Sequence, residues 1–126
     1  MLKGCGGIIL KENKVLLMKR KNVTTFNNVW STPGGKIDDG ETAEKAVVRE
    51  LKEELGIKVQ IVRKLGDYLD KHEDKIIGCY SGYLVEIISG VPQIIEDDKA
   101  ENLTYFDLNN LPDNLAPYSK FYLERI

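Results

Sequence analysis

Gly34-Gly35-Lys36-Ile37-Asp38-Asp39-Gly40-Glu41 leads into a helix-forming run that ends Arg49-Glu50-Leu51-Lys52-Glu53-Glu54-Leu55-Gly56-Ile57. Residues 41–55 contain neither Gly nor Pro and are dominated by Ala, Leu, Glu, Lys and Arg, so they predict a helix. Gly56 stands where a C-terminal cap is expected. At about 100° per residue, Glu50, Glu53 and Glu54 share one helical face. Like charges at that spacing destabilise a helix by roughly 0.2–0.5 kcal/mol per pair, so something has to offset them. A solvated acidic face softened by Arg49 and Lys52 is the ordinary explanation. The helical wheel argues against it. Ala43, Ala46, Val47, Leu51 and Leu55 define the apolar stripe, Glu54 projects within it, and Glu50 sits near its edge. A carboxylate aimed at the covered side of a helix costs several kcal/mol unless it is paired or metal-bound. Mg²⁺ is held by carboxylates together with substrate phosphates, so this face reads as a Mg²⁺ or Mn²⁺ site.

The glycine loop upstream fits that reading. Gly34 and Gly35 let backbone approach a ligand with no Cβ in the way. Lys36 adds a cation, and the start of the helix offers free N–H groups for anions. Pro-Gly-Gly alone is most often a plain turn. Beside a triple-Glu helix it suggests a phosphate chain lying between the loop and bound cations.

Working outward, residues 6–10 and 15–18 are apolar runs of strand length around the polar tetrad 11–14, which predicts a β-hairpin. Residues 19–28 are polar and read as a loop, and 29–32 as a short strand stopped by Pro33-Gly34-Gly35. Ile57, Val59 and Ile61 alternate with polar residues as in a half-buried strand. Residues 76–85 predict a central strand, 103–106 a short one, and 114–126 a second amphipathic helix. The expectation is one mixed α/β domain spanning residues 1–126.

Composition excludes several other classes. With 18 Lys and Arg against 20 Asp and Glu, the net charge of −2 supplies no basic field for a nucleic acid polymer. No apolar run approaches the roughly 18 residues that cross a bilayer, so no membrane partner is expected. Gly4, Gly6 and Gly7 interrupt the N-terminal apolar stretch, which is not a secretory layout. Cys5 and Cys79 are too far apart in the chain for a zinc cluster and read as reduced thiols of a cytoplasmic protein. His72, the single histidine, lies in the polar run 70–75 and reads as an exposed loop residue, so a multi-histidine metal site is excluded.

Gly35, Glu41, Arg49-Glu50-Leu51, Glu53-Glu54 and Gly56-Ile57, at these spacings, resemble the complete Nudix box of the Nudix hydrolases. With each fixed residue at about 5–10% abundance, a chance match is on the order of one in a million or rarer, which makes the likeness specific. Trp30-Ser31-Thr32-Pro33-Gly34 is similar to the family's lead-in, and the stretch from Asn102 to Pro112 to its C-terminal part. The resemblance implies an α/β Nudix fold, a mixed β-sheet sandwiched between helices. It also implies Mg²⁺-dependent (or Mn²⁺-dependent) attack of water on a nucleoside diphosphate linked to another group. Carried over, Glu50, Glu53 and Glu54 ligate the ions, with the Gly35 carbonyl as a further ligand, while Arg49 and Glu41 orient those carboxylates. The general base is Glu53 or a loop acid among Glu96, Asp97, Asp98 and Glu101, of which Glu101 matches best.

The box leaves the substrate open. Some subfamilies carry a Pro or Tyr marker about 15–17 residues after the box, where this chain has His72-Glu73-Asp74. That weakens the ADP-ribose and dinucleotide-polyphosphate readings, and the chain is most similar to the nucleoside triphosphate pyrophosphohydrolases, including those that clear oxidised nucleotides. The partner is then a small nucleotide bound by Gly34, Gly35 and Lys36, its base stacked on an aromatic, with Phe26 and Tyr118 the choices and Tyr80 a third. A non-catalytic nucleotide sensor would be expected to lose box carboxylates, and all are present. The resemblance permits a homodimer, although no exposed apolar stripe demands one.

Overall fold

The computed structural model describes residues 1–21 and 27–126, so Phe26 lies outside the described residues. The expected hairpin is formed by β1 (Leu2–Lys11) and β2 (Lys14–Arg20), with Glu12 at φ 58° in the turn. Both strands run longer than their apolar cores. Lys19 and Arg20, expected in a loop, continue β2 and pair with β3 (Trp30–Ser31) and with β7 (Ala100–Asp107). Backbone ladder bonds satisfy these residues whatever their side chains, so polarity alone misplaced the strand end.

β3 stops before Pro33 as expected, but the glycines that follow are not a plain turn. Gly34–Lys36 is itself a strand, β4, antiparallel to β1 through Gly6↔Gly34, Cys5↔Gly35 and Gly4↔Lys36. A Cβ at Gly34 would collide with the Cys5 carbonyl, so the pairing requires glycine there.

The helix α1 (Ala43–Leu55) starts two residues later than expected. Thr42 is its N-cap, accepting from the Lys45 N–H at 3.2 Å, and Gly56 closes it at φ 68°. Glu41 is thereby left outside the helix, free to bond elsewhere. β5 (Lys58–His72) is far longer than the alternation at 57–61 shows. Register shifts at Ile61/Arg63 and Lys64/Gly66 break the period of two and hide the rest. It forms a hairpin with β6 (Lys75–Ser89); the run 70–75 is the tip of that hairpin, and His72 is exposed at the end of β5. The second helix, α2 (Pro117–Leu123), falls inside its expected span.

Among the described residues the sheet has seven strands, in the order β3-β2-β1-β6-β5, with β4 on β1 and β7 on β2. β1 and β6 are parallel, so the sheet is mixed. Side chains alternate across it. Leu16 and Met18 join Val47, Leu51 and Leu55 of α1 in one core, while Val15 and Leu17 join Tyr122 of α2 in the other. A helix therefore covers each face, as the resemblance implies. No helix among the described residues is long and apolar enough to cross a membrane.

Candidate active site

The site begins with Glu54, whose side chain is 4% exposed on the inward face of α1. Its Oε1 accepts from the Gly34 N–H at 2.9 Å and its Oε2 from Arg20 at 3.1 Å. Arg20 also donates to Ser31 Oγ at 2.9 Å and to the Gly34 carbonyl at 3.2 Å, and it hydrogen-bonds the Tyr118 side chain. One buried guanidinium thus ties together β3, β4, α1 and α2. Burial pushes the Glu54 carboxyl up to about 7, against the pull of Arg20.

One turn earlier, Glu50 is half-buried and accepts from Arg49 at 3.0 Å. Burial raises its pKa, against the pull of Arg49, and the neighbouring Glu53 and Glu96 raise it further. Glu96, from the segment between β6 and β7, completes the group: carboxylate oxygens of Glu50, Glu54 and Glu96 lie within 4.8 Å of one another. Two like charges at that separation repel by on the order of 3 kcal/mol at an effective dielectric constant of about 20. Arg20 and Arg49 offset only part of this. Gly35 faces the group, and a Cβ there would collide with the Glu50 carboxylate. Hard oxygen donors, a surplus of negative charge and a glycine cradle together fit a divalent cation.

Arg49 is the hub beside it. It donates to Glu41 at 2.7 and 2.9 Å, to Glu53 at 3.1 Å and to the Lys36 carbonyl at 2.9 Å. Those bonds, helped by the Asp38 N–H, hold the Glu41 carboxyl down at about 2. Arg49 and Glu41 thus tie the acidic helix to the backbone of the glycine strand.

A cavity of about 400 Å³ opens on these groups. Gly34, Gly35, Lys36, Glu50, Glu54 and Glu96 line it, as do Tyr80, Tyr118 and Tyr122. Lys36 and Tyr118, both singled out in the sequence, thus lie on the same cavity as the carboxylates. Glu53 is not with the other carboxylates: its side chain is 52% exposed and bound to Arg49. Glu101, expected in a loop, lies on β7, 43% exposed and 3.5 Å from Lys19, and it does not line the cavity. The loop acid that meets Glu50 and Glu54 is Glu96. Arg20 and Lys99 also line the cavity, and neither stood out in the sequence. Arg20 carried no signal beyond being a cation next to an apolar strand.

A family model described as NUDIX domain matches residues 3–125. The chain belongs to the NUDIX family. An ADP-ribose pyrophosphatase of Methanocaldococcus jannaschii is 41% identical over 109 residues, 84% of this chain and 62% of that protein. An 8-oxo-dGTP diphosphatase of Escherichia coli is 36% identical over 104 residues, 82% of this chain and 80% of that protein. The crystal structure of a MutT NUDIX hydrolase from Burkholderia pseudomallei superposes with a TM-score of 0.90 at 34% identity, covering 99% of this chain and 97% of that one. Other curated relatives are matched over shorter stretches, such as 39% of a putative 8-oxo-dGTP diphosphatase of Bacillus subtilis and 55% of an E. coli CTP pyrophosphohydrolase. The NUDIX domain here is the kind of mixed sheet between helices seen in that crystal structure, with the acidic helix and the glycine strand packed together.

Proposed function

We propose that this NUDIX domain hydrolyses a nucleoside diphosphate linked to a further group, with a nucleoside triphosphate, normal or oxidised, as substrate. The observation that carries this is the convergence of Glu50, Glu54 and Glu96 on one cavity beside the Gly34–Lys36 strand. Glu50, Glu54 and Glu96 would hold a divalent cation, Mg²⁺ or Mn²⁺, with Glu53 and the Gly35 carbonyl as further donors from the same helix and strand. When bound, such an ion neutralises phosphoryl oxygens and lowers the pKa of water.

The chain's own groups do the rest. Lys36 and Lys99 attract the phosphate chain into the cavity. Arg49 and Glu41 keep the acidic helix in register with the glycine strand, and Arg20 keeps Glu54 facing inward. Water forms a new P–O bond, the bridging oxygen leaves with its electron pair on pyrophosphate, and the water proton passes to a carboxylate. Glu53, solvent-facing and bound to Arg49, is the base we assign to that transfer, with Glu101 the second choice. The relatives support the triphosphate. The likeness covers nearly the whole of the MutT hydrolase and 80% of the E. coli 8-oxo-dGTP diphosphatase, but 62% of the ADP-ribose pyrophosphatase. The 41% identity to the last keeps ADP-ribose as the second reading.

The test is product analysis with Mg²⁺ on a panel of normal and oxidised triphosphates, ADP-ribose and diadenosine polyphosphates. Monophosphate plus pyrophosphate from a triphosphate is the expected result. Cleavage confined to ADP-ribose would move the substrate to the second reading. No cleavage of any member would overturn the proposal.

A further inference from the structure

Each carboxylate of the cavity group carries its own resident cation, and the three cations are held very differently. Glu54 is paired with Arg20 at 3.1 Å, Glu50 with Arg49 at 3.0 Å and Glu96 with Lys99 at 3.7 Å. Arg20 is also bonded to Ser31 Oγ and to the Gly34 carbonyl, and its side chain is 12% exposed. Arg49 is bonded as well to Glu41, to Glu53 and to the Lys36 carbonyl. A guanidinium is a rigid fork, so each of these turns away only by breaking several bonds at once. Lys99 is the exception. Its backbone is anchored on both sides, the N–H bonded to the Glu96 carbonyl at 3.1 Å and the carbonyl accepting from the Lys21 N–H at 3.0 Å. Its side chain is 52% exposed, and Glu96 is its ion-pair partner among the described residues. Such exposed pairs are weak, and an ammonium on a flexible four-carbon stem changes acceptor without moving its Cα.

Lys99 lines the same cavity as Glu50, Glu54 and Glu96. Without a ligand, the anion beside its ammonium is Glu96. A divalent cation held by the three carboxylates competes for that same side chain, with twice the charge of an ammonium. Once Glu96 is engaged in this way, Lys99 faces a cation and loses its partner. A phosphate chain in the cavity then supplies a new acceptor, and the bond to it is charge-assisted.

We infer that Lys99 is an exchangeable counter-ion, neutralising Glu96 in the free protein and passing to the phosphate chain when Glu96 turns to a divalent cation. This rests on the nucleotide pyrophosphohydrolase reading above and adds to it a residue that makes cation and phosphate chain bind cooperatively. The coupling is reciprocal: each ligand removes a cost that Lys99 imposes on the other. Lys99 opposes a bare cation and favours a phosphate chain, so removing its charge moves the two affinities in opposite directions.

The experiment compares wild type, Lys99→Met and Lys36→Met, each checked by circular dichroism. Methionine keeps much of the lysine stem and removes the charge, and a substitution at so exposed a position leaves the fold intact. Bare Mn²⁺ is titrated by electron paramagnetic resonance, and inorganic pyrophosphate by calorimetry at saturating Mn²⁺. Both use about 0.1 M salt, where distant charges are screened. Lys99→Met is expected to bind bare Mn²⁺ about two- to fivefold more tightly and pyrophosphate about five- to tenfold more weakly. Lys36 lines the cavity with no ion-pair partner among the described residues. Lys36→Met should therefore weaken pyrophosphate while shifting bare Mn²⁺ by less than about twofold. Bare Mn²⁺ bound no more tightly by Lys99→Met than by wild type would overturn the inference. So would a loss of both affinities together, the mark of a purely structural role. Equal tightening of Mn²⁺ in Lys36→Met would overturn it too, since overall charge would then explain the effect. These outcomes sink this inference alone; a wild type that binds neither Mn²⁺ nor pyrophosphate would sink the functional reading beneath it.

Discussion

The face of the sheet under α1 and the face under α2 share a layout: a helix laid over alternate side chains of β1, β2 and β6. Under α1 the cavity edge is ionic, with Glu54 paired to Arg20 at 3.1 Å and Glu50 held from behind by Arg49 at 3.0 Å. Under α2 it is aromatic, with Tyr80, Tyr118 and Tyr122 stepping along one wall. The two chemistries meet in a single cavity because Arg20 crosses between them, bonding Glu54 on one side and Tyr118 on the other. On the proposed function, one face manages phosphate charge and the other holds a base. Loss of charge on the first should abolish turnover, and changes on the second should alter packing or preference.

The largest effect is expected from neutralising the buried carboxylates. Glu54→Gln and Glu50→Gln should each lower kcat by more than about 100-fold under saturating Mg²⁺. Glu53→Gln, outside the cluster, separates two roles for that residue. Dependence on Glu53 for turnover, with Mn²⁺ binding retained in a paramagnetic titration, is expected from the proton-transfer assignment. Near wild-type turnover in Glu53→Gln would remove that residue from the mechanism. Circular dichroism on each variant ensures that a loss is read only from a folded protein.

Arg20→Gln breaks the link between the faces. It leaves Glu54 buried without its cation, which typically costs about 3–5 kcal/mol and should appear as a lowered urea midpoint. If the partnership is as the structure has it, Arg20→Gln combined with Glu54→Gln should be more stable than Arg20→Gln alone, since the orphaned charge is gone. Simple additivity of the two losses would break the proposed coupling.

Gly82→Ala tests the aromatic face alone. The new Cβ would meet the Tyr122 ring over a strand that cannot retreat, and overpacking of this kind costs roughly 1–3 kcal/mol. A thermal melt should show the loss, while Mn²⁺ binding at the carboxylates stays within about twofold of wild type. Equal damage to both would mean that the two faces do not act separately.

What the sequence made legible follows the same division. The ionic face is written in a local stretch: Glu54 inside the apolar stripe of α1, Glu41 and Arg49 eight positions apart, and the glycines of β4 just upstream. Helical periodicity converts such spacing directly into shared position, so the acidic helix could be read before any fold was known. Glu96 and Arg20 could not be read this way. Each reaches the site from a distant segment, and only strand pairing brings Arg20 34 positions along to Glu54. The bulges of β5 likewise erased the alternation that would have revealed a long strand.

The smallest effect expected is also the one that isolates the brace from the cluster it supports. Glu41 lies outside α1 and touches Arg49 and the Asp38 N–H, and its carboxyl is held down from 4.5 to about 2. An unfolded chain would take up this proton near 4.5 and the native one only near 2, so the unfolded state binds more protons in between. Stability from this group is therefore complete above about 4.5 and is lost as pH falls from 4.5 toward 2. Glu41→Gln cannot titrate, so the gap in urea midpoint between it and wild type should be widest at pH 6 and narrow steadily toward pH 3. A gap independent of pH would mean that Glu41 acts through shape alone. A gap that closes on the acid side, in protein stripped of divalent ions, would show that the Arg49 hub stands without a bound cation and that the glycine strand and acidic helix are joined before any ligand arrives.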